Sequence, residues 1–423
     1  MIFEIFTTTL MGGLAGYSFI KKSGISNDAD KIQRIFKNAG MTIREDGQVK
    51  TIRLQRKRKI EGGTEYIYQL PLGMSSQEII DKQHVLEDGL NIKDKIFQFQ
   101  LSDLFQIKFD KTLIKQIKSL STGKKSKKEI EIEFDGMLKI KVFNKGLQER
   151  YDWSEDYLKR DSWSVSIGKT RSNIIRHDFD EHKHLIIAGA TGYGKSALLK
   201  LIVTSLVCQQ PEHTNLHLVD LKGGSAFQRF KNLKQTRNFT REPEGAKEIL
   251  KDIQQQMEEA YKEIVDAGYE DIKESGIKDR HFIIIDEAAD IADDAVAMEV
   301  VTDIARKGRG AGYYLIYGTQ YPSSQSIPQQ TKRNIPVRLC FVLDDATASN
   351  TALGQTGAES LPMIPGRGIY KNVKTQIVQT PFISNKEIKK QIAPFITIRP
   401  REEEDSIEKP KTSGGNTFKL EEM

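Results

Sequence analysis

Five short apolar runs alternate with longer amphipathic stretches between residues 182 and 343. The runs read HLIIA, LHLVD, FIIID, YYLIYG and VRLCFVL. Each is rich in Ile, Leu and Val without a regular alternation of apolar and polar residues, which is typical of strands buried on both faces. Such strands, separated by helix-length segments, predict an α/β fold in which helices cover both sides of a central parallel sheet.

The chain before this region has a different pattern. A helical stretch is followed by strand-like segments and the strongly basic RLQRKRKI. Residues 62–92 predict a strand, a Pro-Gly turn and a helix, with Ser75 or Ser76 as its N-cap. Residues 121–143 predict a lysine-rich loop and a hairpin that turns at Asp135–Gly136. We therefore expect a small basic α/β domain over 23–150, followed by the larger α/β domain over 151–397.

The two ends of the chain differ from both domains. Residues 5–20 carry no charge and precede Lys21 and Lys22, and Gly12 and Gly16 form a G-x-x-x-G pair. A spanning helix needs about 17–25 apolar residues, so this segment is short. We predict a membrane anchor over 1–22, with the rest at the cytoplasmic face of the cell membrane. The alternative is a buried helix in a cytoplasmic protein. The polar tail, 398–423, predicts disorder.

Charge and cysteine content indicate the kind of partner and the redox compartment of the protein. The net charge is +6, but residues 21–150 hold 27 Lys and Arg against 18 Asp and Glu, a local excess of nine positive charges. This excess suits a polyanion or an anionic membrane surface, or it is a solvated basic face. The two cysteines, Cys208 and Cys340, lie in apolar runs and indicate buried thiols in a reducing compartment.

A phosphate-binding motif lies between the first apolar run and an apolar helix. The segment GATGYGKS fits G-x-x-x-x-G-K-[ST], in which glycines let backbone N–H groups surround phosphates at a helix N-terminus. Lys195 is expected to reach the β- and γ-phosphates, and Ser196 to bind Mg²⁺. The predicted ATP-binding residues are Gly189, Ala190, Thr191, Gly192, Tyr193, Gly194, Lys195 and Ser196.

Two acidic residues end the run HFIIIDE. Asp286 would follow the strand at its carboxyl end, where open α/β sheets bind ligands, and would hold Mg²⁺ together with Ser196. Glu287 would orient the attacking water or accept its proton. This pair favours ATP hydrolysis over nucleotide binding alone.

Further polar residues follow the next strand and the helix before it. Gln320, after YYLIYGT, would sense the γ-phosphate or position water, unless it only forms a turn. Arg309 lies in IARKGRGAG, where we expect glycines to end a helix and leave this arginine free to reach a neighbouring subunit.

The stretch LHLVDLKGGSAF contains a third strand-end carboxylate. We expect Asp220 to end the strand next to the phosphate-loop strand, with Lys222 beside it. It would either support the metal site or cap the strand end.

Six ordered segments together resemble the FtsK/SpoIIIE family of DNA translocases and the coupling ATPases of Gram-positive conjugative elements. They are HLIIAGATGYGKS, VDLKGG, IIIDEAAD, KGRGAGYYLIYGTQYPS, NIPVRLCF and LGQTGAES. The upstream TEYIYQLPLGMSS is similar to the small domain that precedes the motor in that family.

The resemblance implies a RecA-like P-loop motor that forms a homo-hexamer with ATP sites between subunits and moves double-stranded DNA through a central channel. It implies catalytic roles for Lys195, Glu287, Gln320 and Arg309, the last as an arginine finger. Lys332 matches a basic position near the channel, so Lys332 and Arg333 are the candidate DNA contacts.

The sequence departs from the family pattern at three places. Tyr321 stands where the family often has arginine, LDDATASN replaces a segment that often carries basic DNA-facing residues, and Tyr193 replaces a small residue of the phosphate loop. The tail leaves no length for a winged-helix domain, so we do not expect this chain to read chromosome-orienting sequences.

Three functions compete at this point. The first is ATP-driven transfer of plasmid, phage or conjugative-element DNA. Its expected partners are the membrane and conjugation, relaxase or replication proteins. The second is a protein-export ATPase of the type VII kind, which the acidic LDDATASN supports. The third is a non-hydrolysing scaffold, which the intact Lys195, Asp286 and Glu287 disfavour.

Overall fold

The computed structural model describes residues 28–397, apart from 46–47, 61, 92–127, 145 and 172. The predicted anchor segment, 5–20, and the predicted disordered tail lie outside the described residues. Within the described ranges, every helix is too short or too polar to cross a membrane.

The chain divides into two compact units. The first contains residues 1–151 and 168–175, and the second contains 152–167 and 176–423. Residues 168–175 group with the first unit, where Arg171 pairs with Glu129 and Glu131. The sequence alone predicts that this hairpin tip belongs to the larger domain, because long-range ion pairs leave no local pattern.

Among its described residues, the first unit packs three helices against an antiparallel sheet. Its elements are α1 (Asp28–Asn38), β1 (Thr42–Glu45), β2 (Gln48–Thr51), β3 (Arg53–Ile60), β4 (Gly63–Gln69), α2 (Ser76–Asp81), α3 (Gln83–Asn91), β5 (Glu129–Phe134) and β6 (Leu138–Phe143). The four-stranded sheet has the order β3-β4-β6-β5. The Ser75 side chain accepts a hydrogen bond from the Gln77 amide, so Ser75 is the N-cap that the sequence predicted. The turn at Asp135–Gly136 is also confirmed, since β5 and β6 pair on either side of it.

The second unit is built on a large sheet. Its elements are β7 (Ser164–Lys169), β8 (Ile174–Asp178), α4 (Phe179–His182), β9 (Leu185–Ala188), α5 (Lys195–Gln209), β10 (Thr214–Val219), β11 (Thr236–Thr240), α6 (Pro243–Asp266), β12 (Arg280–Ile285), α7 (Ala295–Ala311), β13 (Tyr313–Thr319), α8 (Gln329–Asn334), β14 (Arg338–Phe341), α9 (Ala346–Leu353), β15 (Arg367–Lys371), β16 (Thr375–Gln379) and α10 (Asn385–Ile392).

The ten strands run in the order β11-β10-β12-β13-β9-β14-β15-β16-β7-β8. From β11 to β14 every pair is parallel, which confirms the predicted parallel centre. Beyond β14 the sheet is mixed, because β15 pairs antiparallel with β14 and with β16. The prediction of a parallel sheet was therefore too narrow: the strands 367–371 and 375–379 contain polar residues at several positions and gave no buried-strand signal.

Burial explains why the central strands read as continuous apolar runs. Every residue of β9, β10 and β13 is buried. Helix α5 is also buried on nearly all sides, and each of its leucines contributes about 1.5–3 kcal/mol on leaving water. This rigid layer fixes the carboxyl ends of β9, β12 and β13 along one edge of the sheet.

Candidate functional site: a phosphate-binding loop beside two buried carboxylates

The phosphate loop joins the end of β9 to the start of α5. Gly192 and Gly194 adopt φ angles of 89° and 121°, which side-chain-bearing residues rarely adopt. A Cβ on Gly194 would lie 3.1 Å from the backbone nitrogen of Gly366, so that position also needs a glycine for space. The loop therefore presents backbone at the N-terminus of a 15-residue helix, a geometry that binds anions.

Lys195 lies between both predicted acidic residues. Its Nζ is 2.5 Å from Oδ1 of Asp286 and 3.5 Å from Oε2 of Glu287, and it also donates to the Asp286 carbonyl. All three side chains are buried. A buried ammonium beside two buried carboxylates balances charge that the protein interior would otherwise not tolerate.

Ser196 and Asp286 form an oxygen pair next to this lysine. The Ser196 hydroxyl is 3.2 Å from Oδ2 and 3.4 Å from Oδ1 of Asp286. One hydroxyl and one carboxylate suit Mg²⁺, which keeps several waters and binds phosphate oxygens in its remaining positions. The described ranges contain no group of three or more His, Cys, Asp or Glu arranged for a metal. The residues present therefore fit a magnesium–nucleotide complex, with Ser196 and Asp286 as its protein ligands.

Glu287 is held by the tip of β13. Its Oε1 accepts hydrogen bonds from the Thr319 hydroxyl at 3.0 Å and from the Gln320 amide at 2.9 Å. Two donors fix the carboxylate at the carboxyl end of the sheet and leave it able to accept a proton. The contact between Thr319 and Glu287 is a finding of the structure.

Gln320 connects this acid to the phosphate loop. Its Oε1 accepts a hydrogen bond from the Thr191 hydroxyl at 2.7 Å, while its backbone amide donates to Glu287. One residue thus contacts both the loop expected to hold phosphates and the acid expected to activate water. The sensing role stays a prediction, and these contacts place Gln320 between the two groups that it would link.

Arg309 is not part of this cluster. Helix α7 continues through Gly308 and Gly310 to Ala311, and the left-handed Gly312 ends it. The expectation that Arg309 lies in a loop was therefore wrong, because glycines at positions 308 and 310 only allow close packing against Tyr313 and Tyr261. Arg309 is exposed near the start of β13, so the strand's seven residues separate it from Thr319 by about 20 Å.

The two candidate DNA contacts lie on α8 and differ in their surroundings. Arg333 is exposed, whereas Lys332 is partly buried and donates to the Asn350 carbonyl at 2.8 Å. Burial lowers the pKa of Lys332, and nearby Arg338 and Lys371 lower it further. Of the two, Arg333 is the side chain that is free to meet a phosphate.

We expected Asp220 to end the strand next to β9, and this prediction was wrong. Asp220 follows β10, whose neighbours are β11 and β12, so β12 and β13 lie between β10 and the phosphate-loop strand. Order along the sheet depends on crossovers and not on sequence separation, which is why the expectation failed. Oδ2 of Asp220 accepts hydrogen bonds from the amides of Ala226 and Phe227, both at 2.8 Å.

This geometry makes Asp220 the residue that closes the loop LKGGSAF. Burial raises its pKa, and the charge of Asp286 at the end of the adjacent strand raises it further. Lys222 is exposed at the same loop. The Asp220 carboxylate therefore stabilises a turn next to the strand end that carries Asp286.

Two contacts of the site were not anticipated. The Gly366 amide donates to the Tyr193 carbonyl at 2.8 Å, which fastens the loop before β15 to the phosphate loop. Lys200 lies one turn after Ser196 on α5, and its pKa is lowered by burial and by Arg229, against the opposing charges of Asp286 and Asp220. The i, i+4 spacing of Ser196 and Lys200 was visible in the sequence, but the approach of Gly366 depends on the tertiary fold.

Comparison with known proteins shows what part of this chain is similar to. Residues 147–283 match the family model described as FtsK/SpoIIIE. This segment is similar to the FtsK/SpoIIIE family. The DNA translocase FtsK of Chlorobaculum tepidum is 30% identical over 276 residues, covering 60% of this chain and 34% of that protein. The chain thus spans about a third of the length of that relative.

Two solved structures share the fold of this chain over more residues than the family model matches. The pCW3 conjugation coupling protein TcpA, in a monomer form with ATPγS, is 22% identical, with 87% of this chain and 99% of TcpA covered and a TM-score of 0.56. The cytoplasmic domain of the type VII secretion ATPase EccC from Thermomonospora curvata is 21% identical, with 60% and 33% covered and a TM-score of 0.51. These likenesses confirm a P-loop ATPase fold.

Proposed function

We propose that this protein is an ATPase that moves double-stranded DNA by cycles of nucleotide binding and hydrolysis in a homo-hexameric ring. The observation that carries the proposal is the convergence of Lys195, Asp286, Glu287 and Gln320 at one edge of the sheet. The similarity to DNA translocases named FtsK supports DNA as the substrate.

The chemistry follows from the contacts of these side chains. Lys195 would neutralise the β- and γ-phosphates, and the carboxylate of Glu287 would accept the proton of the attacking water. Mg²⁺ held by Ser196 and Asp286 would supply positive charge to the phosphate oxygens. Thr319 and the Gln320 amide keep Glu287 in place throughout, so the base needs no reorganisation at the moment of reaction.

The β13 tip offers a path from hydrolysis to movement. Gln320 contacts the phosphate loop through Thr191, and the next residue, Tyr321, is 68% exposed. The chain then leads to α8, which carries Lys332 and Arg333. A shift of Gln320 when the γ-phosphate leaves would be passed along this short segment to the proposed DNA contacts.

Arg309 supports assembly into a ring. It is exposed at the sheet edge opposite the phosphate loop, so it cannot serve the site of its own subunit without large rearrangement. Across a subunit interface, that edge can face the nucleotide edge of a neighbour. We infer that Arg309 acts in trans, which makes the oligomer the active form.

The cellular setting remains part of the proposal. The fold likeness to a conjugation coupling protein supports a role in transferring plasmid, phage or conjugative-element DNA, with conjugation, relaxase or replication proteins as partners. An anchor at residues 5–20 would place the motor at the cytoplasmic face of the cell membrane. A variant lacking residues 1–22 is then expected to move from the membrane to the soluble fraction, and unchanged fractionation would exclude the anchor.

The direct test is ATP hydrolysis with and without double-stranded DNA. We expect DNA to raise the rate, and a rate that is the same with and without DNA would contradict the proposal. Single-stranded DNA of equal nucleotide content is the matched control, because it carries similar charge without the duplex.

Protein export is the second candidate, and the fold likeness to EccC favours it. The acidic LDDATASN gives it less support than the sequence suggested. Asp345 is the N-cap of α9 and accepts a hydrogen bond from the Ala348 amide at 2.7 Å, which accounts for an acidic residue there. Stimulation by a secreted peptide and none by DNA would favour export.

A further inference from the structure

The basic strand β3 forms one edge of the four-stranded sheet in the first unit. Its sequence, RLQRKRKI, is exposed at every position except the last, which is half-buried. None of the residues assigned above to nucleotide or DNA lies in this unit. The strand is therefore a charged surface that the proposed motor mechanism leaves unexplained.

A bulge aligns three arginines on one face of this strand. Arg56 lies opposite Ile67 and Arg58 opposite Glu65, while Arg53 lies opposite Gln69. Residues three apart normally point to opposite faces of a strand. The register shift between Leu54 and Arg56 inserts Gln55 and brings Arg53 onto the same face as the other two.

The other face of the strand runs beside the core-facing side of β4, although its own residues are exposed. Leu54 and Lys57 lie opposite Tyr68 and Tyr66, which are both buried in the hydrophobic core of this unit. Lys57 places its ammonium 5.5 Å from the centre of the Tyr66 ring. The row of arginines therefore points away from the core, on the face that carries Gln69, Ile67 and Glu65 of β4.

Cations elsewhere on this face are neutralised, and the arginine row is not. Lys139 pairs with Asp135, and Lys141 lies 2.8 Å from Glu133. Within the described part of the chain, no carboxylate lies within 4.0 Å of the Arg53, Arg56 or Arg58 guanidinium, although Glu65 is opposite Arg58 in register. The charge on β3 is thus available to an external anion.

We propose that Arg53, Arg56 and Arg58 bind the phosphate backbone of double-stranded DNA and form a second DNA contact outside the motor. The proposal rests on the proposed function, which makes duplex DNA the substrate. Alternate residues of a strand are about 7 Å apart, so the row presents separate guanidinium groups along a line. Guanidinium forks bind phosphate oxygens in pairs, and the contact needs no base reading.

The surroundings favour DNA over a lipid surface. Peripheral membrane-binding surfaces place exposed large apolar side chains beside their cations. On the arginine face, the β4 neighbours are a buried glutamate, a half-buried isoleucine and an exposed glutamine. Charged edge strands also prevent sheets from pairing with each other, and the test below separates that purpose from DNA binding.

The test uses the full chain with Arg53, Arg56 and Arg58 all changed to Gln, binding a mixed-sequence duplex between about 50 and 200 mM salt. Each lost phosphate contact lowers the slope of log affinity against log salt by about 0.9, so three lower it by about 2.7. Over that fourfold rise in salt, wild-type affinity is expected to fall about 40-fold more than that of the variant. Changing all three to Lys should retain most of the slope and weaken binding less.

The matched control changes the exposed Lys251, Lys262 and Lys389 of the second unit to Gln, which removes the same charge. We expect its salt slope to equal that of the wild type. If the salt slope of the arginine variant also equals that of this control, the inference is overturned. It is overturned as well if the arginine variant aggregates without losing DNA affinity. Loss of binding to phosphatidylserine–phosphatidylcholine vesicles with DNA binding intact would assign the row to lipid and overturn it as well. A wild-type protein that does not bind DNA at all would instead overturn the proposed function, and this inference with it.

Discussion

The Nζ of Lys195 lies 2.5 Å from Oδ1 of Asp286, and the two side chains expose only 3% and 1% of their surface. Removing the positive partner of a buried ion pair typically costs about 3–5 kcal/mol, because it leaves an uncompensated buried charge. We therefore expect Lys195→Met to lower the free energy of unfolding by about that amount when no nucleotide is added. Urea denaturation measures it.

A second substitution separates charge from packing. Asp286→Asn in the Lys195→Met background removes one of the unpaired charges and is expected to recover part of the lost stability. Lys251→Met on the exposed side of α6 serves as the control and is expected to change stability by no more than about 0.5 kcal/mol. If the Lys195→Met protein is as stable as this control, Lys195 does not neutralise the buried charge of Asp286.

Glu287→Gln tests the proposed base. Gln keeps an oxygen that can accept from Thr319 and from the Gln320 amide, but it cannot take a proton from water. We expect turnover to fall by about 10²–10⁴-fold while ATP binding is retained. Thr319→Val, which removes one hydrogen bond to Glu287, should lower turnover by about tenfold, equivalent to about 1.4 kcal/mol. Single-turnover hydrolysis and fluorescent-nucleotide binding measure the two effects, and a Glu287→Gln protein with normal turnover would remove this residue from the mechanism.

Mixing two inactive variants tests Arg309 in trans. Arg309→Ala subunits keep an intact phosphate loop, and Lys195→Ala subunits keep Arg309. Each variant alone is expected to be inactive, and their mixture should regain hydrolysis at interfaces that combine the intact halves. If Arg309 instead served its own subunit, the mixture would stay inactive. Arg306→Ala is the control, because its guanidinium pairs with Asp303 within α7.

Buried histidines predict acid sensitivity of the fold. Burial lowers the pKa of His184 to about 3, and its Nδ1 accepts a hydrogen bond from the Leu315 amide. The unfolded chain takes up this proton near pH 6.5 and the folded chain does not, so stability falls as pH drops from about 6.5 towards 3. Each such histidine contributes a slope of about 1.4 kcal/mol per pH unit. Burial also lowers the pKa of His177 to about 3, of His217 to about 4 and of His281 to about 3.

His184→Gln isolates one of these protons. Its Oε1 can still accept from the Leu315 amide, so the stability slope between pH 6.5 and 5 should decrease by about 1.4 kcal/mol per pH unit without loss of the fold. His84→Gln, at an exposed position, is the control. An unchanged slope in the His184 variant would show that the residue does not titrate as its burial indicates.

The sequence predicted those parts of the fold whose cause is local. Continuous apolar runs revealed the central strands, and the glycine pattern revealed the phosphate loop, because the motif lies in one continuous segment with its strand and helix. The position of Asp220 beside β12, and the antiparallel strands beyond β14, depend on crossovers and on edge pairing, which leave no periodic signal.

The same distinction applies to the site. The residue types at 195, 196, 286 and 287 indicate their chemistry directly. The bridge from Thr191 through Gln320 to Glu287 joins segments far apart in the chain, so only the fold shows that they touch. Arg309 shows the opposite error, since glycines suggested a loop where packing extends a helix to Ala311.

Displacement of a third strand from a DNA triplex measures translocation most directly. The central claim is that hydrolysis at Lys195, Asp286 and Glu287 moves the protein along duplex DNA. We expect displacement that requires ATP and Mg²⁺ and that is lost in the Glu287→Gln variant, which still binds DNA. An ATPase whose hydrolysis proceeds at its full rate on the duplex without displacing the third strand would contradict it.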